Sequence, residues 1–196
     1  MGVEMDDIVP LVSELMHTRH HISPKRLGDP GPSQEQKKII LEAAGTAPDH
    51  GLVTPWHFYE VSDSGRALLG RVFSHNLKQR DPDATPEQLD EAHSKALRGP
   101  YLLMVVAKYG SGDNKIPRNE KLISAGCAIQ NIILTAHAMG YGAGLSSGHA
   151  LYSAEMKELF KLEGDDEPLV FITIGTVTKH KDGRVRPTYT EYSSVF

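Results

Sequence analysis

One long stretch, residues 121–139, constrains the fold of this chain more than any other. Its apolar residues leave almost no polar face; they are Leu122, Ile123, Ala125, Cys127, Ala128, Ile129, Ile132, Ile133, Leu134, Ala136, Ala138 and Met139. A helix that is apolar nearly all round is a buried helix, and this stretch is too interrupted by polar residues for a membrane span. It therefore predicts the central helix of a soluble core. Small residues at Ala125, Gly126 and Ala128 allow close approach of another backbone, including that of a second subunit.

The segment after this predicted helix is rich in glycine. Gly140 supplies the left-handed residue at which helices commonly end, and residues 141–148, Tyr-Gly-Ala-Gly-Leu-Ser-Ser-Gly, are expected to form a loop. Such a loop can bring a ligand close to the backbone, or it can be a simple turn after a helix cap. The residues alone leave both interpretations open.

Length, charge and cysteine content limit the classes of function. The 196 residues suffice for one domain with a real core, expected to span residues 1–196. The net charge of −4 makes nucleic acid an unexpected partner. Cys127 is the only cysteine, so one chain can form neither a disulfide nor a cysteine-based metal site. The first ten residues lack the apolar core of a signal peptide, and a cytoplasmic protein without a membrane partner is expected.

Apolar spacing and turn residues divide the rest of the chain into helices and strands. Helical spacing or capping patterns mark residues 5–17, 33–45, 68–77, 85–98 and 153–160, and apolar runs mark strands at 56–61, 101–107 and 169–174. The last two runs are continuously apolar, as in strands covered on both faces. The predicted class is α+β, a three-layer α/β/α sandwich in which helices cover both faces of a mixed sheet.

A dense group of cations and hydrogen-bond donors follows the first predicted helix. It reads Thr18-Arg19-His20-His21-Ile22-Ser23-Pro24-Lys25-Arg26. Arginine can hold a phosphate through two parallel hydrogen bonds, whereas a solvated basic loop would only complement the helix C-terminus. Both interpretations stay open at this point.

Dinucleotide and metal sites fit the sequence poorly. Gly140, Gly142 and Gly144 miss the G-x-G-x-x-G spacing and follow a predicted helix rather than a strand, so a Rossmann site is rejected. No H-x-x-x-H or H-E-x-x-H pair of histidines stands on a predicted helix, and no metal site is expected.

A serine hydrolase is the alternative function. Residues 144–148 match G-x-S-x-G with Ser146 as the nucleophile, and Asp165 or Asp166 and then His180 follow in the order of an α/β-hydrolase triad. Against this alternative, the nucleophile needs a strand directly before it, and the sequence here indicates a glycine loop.

Five motifs occur together along the chain. They are Thr18-Arg19-His20-His21, residues 43–50 (Ala-Ala-Gly-Thr-Ala-Pro-Asp-His), Pro55-Trp56-His57-Phe58, residues 124–131 (Ser-Ala-Gly-Cys-Ala-Ile-Gln-Asn) and residues 136–142 (Ala-His-Ala-Met-Gly-Tyr-Gly). In this order and spacing the chain resembles the FMN-dependent nitroreductase family, especially its small single-domain NAD(P)H-dependent members. The resemblance covers nearly the whole chain.

The resemblance implies an α+β sandwich that forms a homodimer through long helices, with FMN bound between the two chains. The FMN-binding residues that it implies are Arg19, His20, His21, Ser23 and Lys25 at the phosphate and ribityl chain, Thr46 and His50 after the second helix, Leu145, Ser146 and Ser147 at the flavin, and Arg184 or Arg186 at the phosphate. Either His21 or Ser23 takes the place of a serine that the family carries in the first loop. The residues implied for nicotinamide binding are Thr135, Ala136, His137, Ala138, Met139 and Gly140.

The chemistry that the resemblance implies belongs to the flavin. NADH or NADPH gives hydride to FMN, and an electron-poor nitro compound or quinone is then reduced. No catalytic side chain is needed, but positive charge near the pyrimidine end of the ring would stabilise the reduced anion, and Lys25 or Arg26 could supply it. A flavin-binding protein without turnover is the non-catalytic alternative.

Overall fold

The computed structural model describes residues 5–110, 115–180, 183 and 185–196, which form helices around one sheet. The helices are α1 (Met5–Thr18), α2 (Gln34–Ala44), α3 (Asp63–Arg80), α4 (Pro86–Ser94), α5 (Arg118–Ala138) and α6 (Ala154–Leu159), and the strands are β1 (Leu27–Gly28), β2 (Trp56–Glu60), β3 (Tyr101–Ala107), β4 (Gly142–Ser146) and β5 (Glu167–Val177). Single 3-10 turns lie at Pro24–Arg26, His50–Leu52, Lys95–Leu97, His149–Tyr152 and Tyr189–Glu191.

Local sequence signals explain where several helices begin. The backbone N–H of Gln36 donates to the Ser33 hydroxyl, and the Gln36 side chain accepts from the backbone N–H of Ser33, so α2 starts with the predicted capping box. The same arrangement between Thr85 and Gln88 starts α4, and Ser153 caps α6. These predictions are confirmed because capping depends on residues three positions apart.

The strands form an antiparallel sheet. They lie in the order β1-β5-β3-β2, with β4 also paired to β5, and all four pairings between these strands are antiparallel. Within the described residues, an isolated bridge between His21 and Ala143 is parallel. The expectation of a mixed sheet was wrong, because all the named strands pair antiparallel. A continuous apolar run shows that a strand is covered on both faces, but it does not show the direction of the neighbouring strands.

Helices cover both faces of the sheet, which confirms the α+β class and the three layers. On one face, called the α5 face, α2 and α5 pack over strand residues such as Leu103 and Ile172. On the other, called the α3 face, α3 and α6 pack over residues such as Leu102, Met104 and Phe171. Alternate residues of the same strands therefore serve two separate cores.

The predicted central helix is α5, although one side of it is open in the single chain. Ala125 and Ile132 have no exposed surface. In contrast, Leu122 and Ile123 are 45% and 64% exposed, and a side-chain carbon added at Gly126 would meet nothing within 4 Å. No helix in the described ranges is both long enough and apolar enough to cross a bilayer.

The glycine-rich segment after α5 differs from its prediction. Gly140 ends the helix as expected, with φ at +85°, but residues Gly142–Ser146 form strand β4 rather than a loop. Glycine is a poor strand former by itself. The strand is explained by a close crossing of another segment, which is described below.

Candidate functional site

A cavity of about 410 Å³ lies on the α3 face, where β4 ends. Leu69 and Phe73 of α3, Leu102 of β3 and Phe171 of β5 form its apolar part. The polar residues that line it are His21, Ser23, Ser146 and Ser147, the basic side chains Arg80, Lys95, Arg98 and His149, and Asn76 and Thr173. None of the described residues that line it is an aspartate or a glutamate. An apolar cavity with a few converging polar groups is the usual form of a small-molecule site.

Gly144 makes one side of this cavity possible. Strand pairing places Gly144 beside Thr173, and Thr173 beside Leu102, on the α3 face. The segment of residues 19–26, called the first loop, crosses β4 at this point: the backbone N–H of Ile22 donates to the Ala143 carbonyl at 3.0 Å. A side-chain carbon on Gly144 would overlap the carbonyl oxygen of Ile22. Glycine is required here because only a residue without a side chain permits this approach.

His21 is held at the cavity through its ring nitrogen Nδ1. The backbone N–H of Leu145 donates to Nδ1 of His21 at 3.4 Å. Partial burial, and then the positive charge of Arg19, lower the pKa of His21 below its usual value. Since Nδ1 accepts a hydrogen bond, the proton of the neutral ring lies on Nε2.

Three cations, Arg80, Lys95 and Arg98, form what we call the cationic wall of the cavity. Arg98 pairs with Glu91. Arg80 and Lys95 are exposed, and neither forms an ion pair with another described residue. None of the three was predicted from the sequence, because a cation on the surface of an amphipathic helix or turn has no distinctive signal.

Arg66 holds the backbone of the segment that carries Lys95 and Arg98. Its side chain is buried, at 5% exposure, and Nη1 donates to the carbonyl oxygens of Ala96 at 3.0 Å and Arg98 at 3.2 Å. Burial lowers the pKa of the guanidinium, and Asp63 opposes this shift. These bonds tie α3 to the segment that carries Lys95 and Arg98.

The C-terminal tail closes on the first loop. Nη2 of Arg186 donates to the carbonyl oxygens of Arg19 at 2.6 Å and His17 at 3.2 Å. A side-chain carbon on Gly183 would lie 2.9 Å from Cε1 of His20. The structure thus brings Arg186 to the predicted phosphate loop, where it holds backbone carbonyls. The other tail candidate, Arg184, lies outside the described residues.

His137 joins the same group from the end of α5. The Thr18 hydroxyl donates its one proton to the Glu14 carbonyl at 2.7 Å, so its 2.9 Å contact with Nε2 of His137 is donated by His137. Burial, followed by the charges of Arg19 and His20, lowers the pKa of His137. A residue predicted for nicotinamide binding therefore lies beside the predicted phosphate loop.

Some of the other predicted residues line the cavity, and the rest do not. Ser23, Leu145, Ser146 and Ser147 line the cavity with His21. Lys25 is exposed in the 3-10 turn Pro24–Arg26, and neither Lys25 nor Arg26 lines the cavity. None of Thr135, Ala136, Ala138, Met139 and Gly140 lines it either.

Thr46 and His50 lie on the α5 face, away from the first loop of the same chain. Asn131 of α5 donates to the Thr46 hydroxyl at 3.0 Å, and Nδ1 of His50 donates to Glu120 at 2.6 Å. Glu120 and His137 are 17 positions apart in α5, which corresponds to about 25 Å along the helix axis. One chain alone therefore does not bring His50 to the loop that contacts His137.

The hydrolase triad is not assembled at Ser146. A strand, β4, precedes the serine where a glycine loop was expected, so this objection to the hydrolase was wrong. However, Asp166 pairs with Lys108, and none of Asp165, Asp166 and His180 lines the cavity that contains Ser146. Within the described residues, no group of three or more histidine, cysteine or acidic side chains could hold a metal ion.

Comparison with known proteins identifies relatives of the chain. The sequence profile of the nitroreductase family matches residues 19–176. YdjA of Escherichia coli K12, which carries the provisional name NAD(P)H nitroreductase, is 34% identical over 163 residues, covering 83% of this chain and 86% of YdjA.

Solved structures show the same fold. A nitroreductase-like family protein from Bacillus cereus superposes with a TM-score of 0.76 at 18% identity, covering 100% of this chain and 98% of that chain. The NADPH:FMN oxidoreductase of Vibrio harveyi, solved in complex with NAD+, gives a TM-score of 0.71 at 16% identity, covering 93% of this chain and 76% of that chain.

Proposed function

Since the chain belongs to the nitroreductase family, we propose that it is an FMN-dependent oxidoreductase that takes hydride from NADH or NADPH and reduces an electron-poor nitro compound or quinone. The observation that carries this proposal is the cavity at the end of β4, with its apolar part, its cationic wall and no lining acid among the described residues. The Vibrio harveyi neighbour, an NADPH:FMN oxidoreductase, supports the choice of cofactors.

The residues of the cavity fit a flavin ring. Its volume of about 410 Å³ lies within the range of about 300–1,000 Å³ that is usual for ligand sites. The close crossing at Gly144 holds the first loop against β4, so that His21 and Ser23 line the same cavity as Leu145 and Ser146. His21, Ser23 and Ser146 offer hydrogen-bonding groups along one edge. Bound FMN would supply the redox chemistry, and these residues would orient it.

The first loop would hold the FMN phosphate. Arg19 and His20 lie where the loop leaves α1, and Arg186 fixes this junction through the carbonyl oxygens of His17 in α1 and Arg19 in the loop. His137 adds a further hydrogen-bonding group on the same side. A phosphate dianion beside several cations forms strong, charge-assisted hydrogen bonds.

Within the cationic wall, Arg98 would take the electrostatic role that was expected of Lys25 or Arg26. Arg98 is the least exposed member, with a side chain 26% exposed, and Arg66 positions its backbone. Positive charge at a partly desolvated site stabilises an anionic reduced ring more than the same charge in water.

A homodimer would complete the site with Thr46 and His50 of the partner subunit. The open side of α5 at Gly126 and the exposed apolar residues Val9, Leu11 and Met16 of α1 provide a surface for it. If a twofold axis crosses α5 at Gly126, the two copies of α5 run antiparallel, and residue 120 of the partner lies opposite residue 132. Residue 132 is about 8 Å from His137 along the axis of the helix. The partner subunit's His50 would then approach the first loop.

Reconstitution tests the proposed function. Purified protein should bind FMN, release it on denaturation, and oxidise NADH or NADPH in the presence of menadione or a nitrofuran, whereas protein stripped of FMN should not. Binding of FMN without any turnover would favour the non-catalytic flavin protein. Labelling by a fluorophosphonate probe that is lost in Ser146→Ala would favour the hydrolase.

Sedimentation tests the dimer separately. Ile123→Glu places a charge on the open side of α5 and should give monomers with weakened FMN binding. Leu68→Glu, an equivalent change at an exposed leucine of α3, should leave the sedimentation coefficient of the dimer unchanged. Monomers in both variants would show general destabilisation rather than an interface on α5.

A further inference from the structure

The cavity carries more positive charge than a bound flavin would balance. Its wall contains Arg80, Lys95 and Arg98, and no acidic residue among those described lines it. Glu91 offsets Arg98, which leaves Arg80 and Lys95 facing the cavity without an ion pair to the described chain. The excess is local, since the whole chain has a net charge of −4.

The excess charge stands next to an apolar surface. Phe73, Leu77 and Arg80 line the cavity together, and their spacing of four and three positions places them on one face of α3. Lys95 approaches from the turn after α4. A ligand that packs a planar body against Phe73 and Leu77 would therefore meet cations at its outer end.

This arrangement identifies an acceptor class, and the inference rests on the proposed function. We propose that the preferred acceptors are aromatic anions, nitroaromatic carboxylates in particular, whose carboxylate reaches Arg80 and Lys95 while the ring lies against Phe73 and Leu77. A neutral nitroaromatic compound makes the same apolar contacts but leaves both cations unpaired.

The proposed reaction is the two-electron reduction of a nitro group to a nitroso group. The dihydronicotinamide donor loses a hydride and is oxidised, and the nitro group receives those two electrons with the hydride's hydrogen and one solvent proton (H⁺). One N–O bond of the nitro group breaks, and the products are a nitroso compound and a molecule of water.

Two acceptors of similar shape and different charge test the proposal. kcat/KM is measured for 4-nitrobenzoate and 4-nitrobenzamide with 1-benzyl-1,4-dihydronicotinamide as the donor, because that donor has no phosphate to contact the cations. The double variant Arg80→Gln, Lys95→Gln should lower the benzoate-to-benzamide ratio of kcat/KM by about tenfold, the effect of one charge-assisted hydrogen bond. Raising the salt concentration should lower the ratio in the parent protein.

Arg71→Gln is the matched control. Arg71 is exposed on the same helix but does not line the cavity, so the ratio should stay within about twofold of the parent, as for an ordinary surface substitution. Comparing ratios between variants removes the different intrinsic reactivity of the two acceptors.

A binding measurement separates acceptor recognition from turnover. Calorimetry with oxidised, FMN-loaded protein should show tighter binding of benzoate than of benzamide, and the double variant should remove the difference. The proposal would be overturned, with the oxidoreductase function intact, if the double variant kept both the kcat/KM ratio of the parent protein and the parent's tighter binding of benzoate than of benzamide. A loss seen with NADH but not with the benzyl donor would overturn it too, by assigning the cations to the donor's pyrophosphate. Absence of FMN binding and of turnover would instead refute the proposed function itself.

Discussion

The α5 face and the α3 face of the sheet bury alternate residues of the same strands but end in different surfaces. On the α5 face, Ile132 and Ala136 have no exposed surface, and helices fill the space over the sheet. On the α3 face, Leu102 and Phe171 also support a cavity that reaches solvent. The difference shows that one face of the sheet is filled by packed helices while the other keeps a cavity, although both faces use the same strands.

The reason for the difference lies where β4 joins the sheet. Ala143 points to the α5 face and belongs to its core, whereas Gly144 points to the α3 face, where the first loop takes the place of a side chain. Successive strand residues point to opposite faces, so one residue completes a core and the next makes room for a site.

The largest expected effect concerns the packed core on the α5 face. Ile132→Ala should lower the free energy of unfolding by about 2–5 kcal/mol, because it leaves a cavity in a fully packed core. Urea denaturation of FMN-free protein measures this, with Ile39→Ala as the control, since Ile39 is 49% exposed on α2. Equal losses in the two variants would contradict the placement of α5 at the centre of the core.

The next expected effect concerns the charge of the first loop, which lies beside the cavity of the α3 face. Arg19→Ala should raise the FMN dissociation constant by about 10- to 100-fold, since a charge-assisted hydrogen bond contributes about 1.5–3 kcal/mol. Fluorescence titration measures the constant, and circular dichroism checks the fold. Riboflavin, which has no phosphate, should lose no affinity; a parallel loss would assign Arg19 to the ring or to the fold.

The role of Gly144 can be tested by adding one methyl group. Gly144→Ala should displace the first loop and cost about 1–3 kcal/mol in FMN binding, as expected for overpacking against backbone. Gly110→Ala is the control, because an added carbon at Gly110 would meet nothing within 4 Å. Unchanged FMN affinity in Gly144→Ala would mean that the loop does not need to cross β4 so closely.

The smallest expected effect is a dependence of stability on pH that comes from two histidines, His21 in the first loop and His137 at the end of α5. Burial lowers the pKa of both His21 and His137 in the folded chain, so the unfolded chain takes up protons first as the pH falls below about 6.5. The free energy of unfolding should therefore be constant above that pH and decrease below it.

Urea denaturation of FMN-free protein at several pH values between about 5 and 8 measures this dependence. His137→Gln and His21→Gln should each flatten the dependence of the free energy of unfolding on pH, because each removes one histidine with a lowered pKa. A steeper decrease in either variant would contradict the lowered pKa of that histidine.

Several features were predictable because they depend on residues close together in sequence. The capping boxes at Ser33 and Thr85 formed as expected, and the strand Tyr101–Ala107 has the predicted bounds. His21, Ser23 and the segment from Leu145 to Ser147 were named from sequence through the family resemblance, and the structure brings them to one cavity. Their roles toward FMN stay predictions.

Other features could not be predicted because they depend on residues far apart in sequence. The strand β4 was taken for a loop because its glycines are explained only by the Ile22 backbone that crosses it. Arg80, Lys95 and Arg98 come from separate segments and acquire a common role only when α3 and α4 fold over the end of the sheet.

The sequence by itself determined where most helices begin, which runs are buried and that the class is α+β, because hydrophobic periodicity and capping act over a few residues. Only the tertiary structure decided that the sheet is antiparallel, that Gly144 lies under the first loop, and that Arg80, Lys95 and Arg98 meet an apolar cavity. Strand direction, close backbone approach and local excess charge each depend on which distant segments become neighbours, and the free energy that selects them comes from burial over the whole core.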